Sequence, residues 1–94
     1  MNVTDRLRAL SEEMKELQTE VAILDEQIVF QTEVSEDLRL RALVSETPLA
    51  DREAREARDD LARLARTRQD ALSRLEGLRL EQDSLLERLL DERR

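Results

Sequence analysis

The sequence predicts an all-α fold: two long helices bent back on each other into an antiparallel coiled-coil hairpin. Three observations predict it. Apolar residues recur at alternating steps of four and three along nearly the whole chain, a single proline stands near its middle, and the registers on the two sides of that proline are complementary.

The first helix is read from Val3. The path runs through Leu7, Leu10, Met14, Leu17, Val21, Leu24 and Ile28, then Gln31, Ser35, Leu38 and Ala42. Leu7, Met14, Val21 and Ile28 take heptad position a, while Val3, Leu10, Leu17 and Leu24 take position d. A strand would alternate with period two, which this path does not. The break comes at Ser45-Glu46-Thr47-Pro48. Proline inside a helix costs about 3 kcal/mol but is well tolerated at the first helical position. Thr47 before it suits an N-cap, and Asp51 and Glu53 follow near the positive end of the new helix. Helix 1 is therefore expected over about 3–44, the turn over about 45–47, and helix 2 over about 48–92, the whole forming a single hairpin.

Helix 2 repeats the pattern through Ala50, Ala54, Ala57, Leu61, Leu64, Arg68, Ala71, Leu75, Leu78, Gln82, Leu85 and Leu89. In an antiparallel pair, a residues face d residues. Centring the turn on Glu46 satisfies every layer, pairing Leu7 with Leu85, Met14 with Leu78, Leu17 with Leu75, Ile28 with Leu64 and Ala42 with Ala50. A short connection between long helices likewise makes them antiparallel neighbours. Agreement between turn chemistry and register is what specifies the fold. Flanking charges in this register set Arg39 against Asp51, Arg41 against Glu53 and Glu20 against Arg74. Glu13 against Glu81 and Arg6 against Arg88 oppose it, so the open end is expected to be held less well.

Composition limits the chemistry. Charged residues make up 41% and hydrophobic residues 39%, with one Gly and one aromatic, Phe30, as in long-helix proteins. With no Cys and no His, disulfides, the usual zinc ligands and the commonest general base are missing. The acidic doublets Glu12-Glu13, Asp25-Glu26, Glu36-Asp37 and Asp59-Asp60 cannot converge on one ion, because adjacent helical residues point about 100° apart. They read as solvated surface. Arg52, Arg55, Arg58, Arg63, Arg66 and Arg68 are interleaved with Glu53, Glu56, Asp59 and Asp60, so they read as local helical pairs. A net charge of −7 without aromatic stacking groups argues against nucleic acid. No nucleophile–base pair, phosphate loop, metal spacing, signal peptide or membrane span is evident. The expectation is a cytoplasmic, non-enzymatic protein with no cofactor, metal, nucleic-acid or membrane partner.

Apolar residues off the seam suggest what it does instead. Ile23, Phe30 and Val34 fall on one flank of helix 1, and Ala65, Leu72 and Leu86 share a flank position on helix 2. A two-helix hairpin has one thin core, and small domains are marginal with so little burial. A second copy would supply the missing helices, so Phe30, Val34, Leu72 and Leu86 are the expected interaction residues of a homodimeric four-helix assembly. The leading expectation is an interaction or adaptor protein acting by helix–helix contact and self-association, with another protein as the alternative partner.

The turn is a second candidate. Arg39, Leu40, Arg41, Leu43, Val44, Glu46, Leu49, Asp51 and Glu53 gather apolar and charged groups at one end, with Leu43, Val44, Leu49, Asp51 and Glu53 as tip candidates. A coiled-coil finger with an acidic tip resembles, in architecture, the Gre-type transcription factors that insert such a finger into the secondary channel of RNA polymerase. The likeness covers the hairpin shape and Asp51 with Glu53; their globular companion domain has no counterpart here. It implies a regulator of the transcription machinery that binds through the tip. Fifteen Arg against one Lys is the composition of a GC-rich genome, and the chain resembles in texture the short coiled-coil proteins of high-GC actinobacteria. That resemblance implies no activity.

Overall fold

In the computed structural model, which describes residues 2–94, α1 spans Val3–Ser45 and α2 spans Pro48–Glu92. The two helices pack against each other as an antiparallel hairpin. Each terminus has a local cause. At the start of α1, Asn2 is the N-cap: its Oδ1 accepts the Asp5 amide at 2.8 Å, and its carbonyl accepts the Arg6 amide at 3.0 Å. At the start of α2, Thr47 Oγ1 accepts the Ala50 amide at 3.2 Å, and the Thr47 carbonyl accepts the Asp51 amide at 3.1 Å. Pro48 is thus the first helical residue, where its missing amide hydrogen leaves no bond unmade.

Helix α1 stops because Glu46 enters the left-handed region, with φ of 50°. Its amide donates to the Ala42 carbonyl at 3.1 Å, the single bond that closes a helix when the next residue turns left-handed. Glycine usually fills that position, and a Cβ there costs roughly 1–2 kcal/mol. The helix runs one residue past the expected Val44.

Every predicted seam position on both helices is buried or half-buried. Among the described residues the most enclosed side chains are Leu10, Leu24, Ala50, Ala57 and Ala71, and of these Leu10 alone is fully sealed from solvent. Polar seam members are accommodated by reaching outward. Gln31 Nε2 donates to the Ala57 carbonyl at 3.1 Å across the helices. Arg68 lies half-buried and extends its Nε to Asp25 Oδ1 at 2.5 Å, which keeps the guanidinium at the surface above Leu24 in the register.

By packing, the chain divides into two compact units: Ala22–Gln69, which contains the turn, and Met1–Val21 with Asp70–Arg94, which contains both chain ends. In the unit with the chain ends, the expected conflict is relieved. Arg6 turns away from Arg88 and donates to both oxygens of Glu81, at 3.2 and 2.7 Å, while lying 3.8 Å from Glu13. One cation therefore sits between two carboxylates that would otherwise repel. In the turn unit, Arg39 pairs with Glu36 on its own helix, at 2.6 and 3.1 Å, instead of Asp51. Neither Arg41–Glu53 nor Glu20–Arg74 closes into an ion pair among the described residues. For Arg39, the pair within one helical turn restrains two side chains already held close together, so it prevails over a weak exposed contact with Asp51.

Candidate functional site

The turn brings four off-seam apolar residues to one end of its unit. Leu40, Leu43 and Val44 follow helical spacing on the outer face of the last turns of α1, and Leu49 stands in the first turn of α2. With only Glu46 and Thr47 between the helices, no loop can fold back over them. Leu43, Val44 and Leu49 are 63, 86 and 64% exposed. Asp51 is exposed beside them, whereas Glu53, two residues on and turned toward the seam, is half-buried.

Two grooves run along the seam of this unit behind the tip. One, of about 270 Å³, is lined by Gln31, Val34, Leu38, Glu53, Glu56, Ala57 and Asp60. The other, of about 220 Å³, is lined by Ser35, Arg39, Ala54, Arg55 and Arg58. Position d residues floor the first and position a residues the second, and side chains at a and d leave an antiparallel seam toward opposite sides. The grooves therefore lie back to back, one acidic and one basic. Phe30 stands next to the acidic side, 67% exposed, beside a further depression of about 470 Å³ formed with Glu26, Gln27, Gln31 and Leu64. Val34 is half-buried.

In the unit with the chain ends, Leu72 is half-buried and Leu86 is 43% exposed, two heptads apart on α2. Arg79 holds the intervening position of that stripe and is tied to Glu76 at 2.6 and 3.0 Å and to Asp83 at 3.1 Å. The hydrogen bond from Arg79 holds the Glu76 carboxyl below its ordinary value, and Arg39 does the same to Glu36. Where the chain ends meet, a depression of about 690 Å³ is lined by Asn2, Val3, Thr4, Arg6, Glu81, Leu85, Arg88, Leu89 and Glu92. Accepting from Arg6, Glu81 raises the affinity of that guanidinium for its proton.

Among the described residues no cluster of carboxylates could hold a metal ion, and no helix is long and apolar enough to cross a membrane. Each acidic doublet has at least one carboxylate paired with an arginine or the lysine: Glu12 with Lys15, Glu13 with Arg6, Asp25 with Arg68, Glu36 with Arg39, and Asp60 with Arg63. The basic run is partly neutralised in the same way, through Arg52–Glu56 at 3.2 Å and Arg58–Asp59 at 3.9 Å. Arg55 and Glu53 have no ion-pair partner among the described residues. Residue-type runs conceal the charge separation between the two grooves. Heptad positions carry it, because Glu53 and Asp60 take position g while Arg39 and Arg58 take position e.

No family model, curated protein or solved structure matches the chain.

Proposed function

We propose that the chain is a non-enzymatic coiled-coil interaction or adaptor protein that works by helix–helix contact and self-association. One observation carries the reading. The hairpin leaves large apolar side chains from Ile23 to Leu90 between 43 and 86% exposed, while among the described residues its seam fully seals only Leu10. Isolated exposed leucines are ordinary, but an apolar surface that outweighs the enclosed core is the mark of an interaction surface. A homodimer is the smallest product, with Phe30 and Val34 contributing in one unit and Leu72 and Leu86 in the other.

The test is sedimentation at micromolar concentration of Leu72→Glu combined with Leu86→Glu. The wild type is expected at or above twice its 11.0 kDa chain mass. Both leucines are already partly covered, so each adds less than the ~1.5–3 kcal/mol of full burial. Losing them from both copies should still weaken association by roughly 2–4 kcal/mol. A stable monomeric wild type would sink the reading. In that event the exposed tip residues Leu43, Val44 and Leu49, with Asp51, support the alternative of a regulator that engages the transcription machinery through the turn.

A further inference from the structure

We infer that copies of this chain associate through unlike faces of the turn unit, the acidic groove of one copy receiving the basic groove of the next. The inference rests on the self-association proposed above and specifies its geometry. The two grooves flank the same stretch of seam at the same level, between Gln31 and Arg39 on α1 and between Glu53 and Asp60 on α2. Glu53, Glu56 and Asp60 line one; Arg39, Arg55 and Arg58 line the other.

Local pairs offset part of each field. Arg52 bonds to Glu56 and Arg63 to Asp60 on the acidic side, while Glu36 bonds to Arg39 and Asp59 approaches Arg58 on the basic side. Arg41, nearer the tip, is not part of the acidic lining. Among the described residues, what remains without an ion-pair partner in the grooves is Glu53 on one side and Arg55 on the other. These are opposite charges, facing opposite ways.

A two-fold symmetric contact joins a patch to itself. Through either groove it would bring like charges together, which is unfavourable and steers copies apart. Contact between unlike faces pairs Glu53 and Asp60 of one copy with Arg55 and Arg58 of another, and it places the large residues Phe30 and Val34 at the rim of the junction. Such a contact is heterologous, so each terminal copy keeps one free face. Association then continues beyond the dimer, to a ring if the rotation closes and to an open chain if it does not.

Two charge-reversed variants test this. Arg55→Glu with Arg58→Glu makes both grooves acidic; Glu53→Lys with Asp60→Lys makes both basic. These positions lie off the seam or at its edge, so circular dichroism should show unchanged helicity in both. Each variant alone should associate about tenfold or more weakly than wild type at low salt. An equimolar mixture should recover association, because the first variant keeps the native acidic groove and the second the native basic one. Salt should weaken the wild type and the mixture alike. If the wild type associates and the single variants do so equally well, or if the mixture fails to recover, the unlike-face contact is wrong while self-association stands. A wild type that is monomeric at all concentrations overturns both.

Discussion

Leu10→Ala is the sharpest probe of the seam, because among the described residues Leu10 alone has no solvent exposure. The register sets it opposite Gln82, between the layers of Leu78 and Leu85. Truncation removes three carbon centres, or about 2.4 kcal/mol at ~0.8 kcal/mol per buried methylene. A cavity term adds to this where the surroundings cannot close in. Here the seam is one layer thick with solvent on both sides, so the helices can settle together and the added term should be small. The expected cost is roughly 2.5–3.5 kcal/mol. Urea unfolding followed by circular dichroism reads it directly. With a slope near 1 kcal/mol per molar for a chain of this size, the midpoint should fall by about 2.5–3.5 M. The matched control is Leu80→Ala on the outer face of α2, where the leucine is 55% exposed; it should cost less than about 1 kcal/mol. Protein concentration must be equal throughout, because the proposed association with other copies would add to apparent stability. Equal midpoints for the two variants would refute the claim that the seam, and Leu10 within it, supplies the core.

Two further predictions follow from the ends of the helices. Glu46→Gly should raise stability by up to ~1 kcal/mol, because glycine accepts the left-handed φ of 50° without the Cβ clash. Glu46→Val should lower it, and a reversed order in thermal melts would contradict the turn geometry. Arg6→Gln should speed amide hydrogen exchange in the first turns of α1, because it leaves Glu13 and Glu81 facing each other without the cation between them. Exchange near Glu46 should be unaffected; uniform acceleration along the chain would show that Arg6 has no local role.

Much of the fold was legible because long coiled coils obey a one-dimensional rule. Heptad spacing marked every residue of the seam, and Thr47 with Pro48 marked the start of α2, since both signals act through near neighbours. The tip was legible for the same reason: Leu43, Val44 and Leu49 lie off the heptad path beside a turn too short to cover them.

Side-chain partners were a different matter. The sequence alone placed Arg6 against Arg88 and Arg39 against Asp51, because register assigns neighbours by position alone. The tertiary structure decided otherwise: Arg6 reaches past the nearest layer to Glu81, and Arg39 turns back to Glu36. Arginine has a long, flexible stem, so several carboxylates lie within its reach and small differences in geometry and solvation choose among them. The same limit hid the two opposed grooves. Heptad position already parts Glu53 and Asp60 from Arg55 and Arg58 on α2, but only packing α1 against it adds Arg39 to the basic side and closes each groove with Gln31, Val34 and Leu38 or with Ser35. Periodic burial is a property of each helix and can be read from its spacing. The shape of a groove belongs to the pair of helices, so it exists only once they are packed.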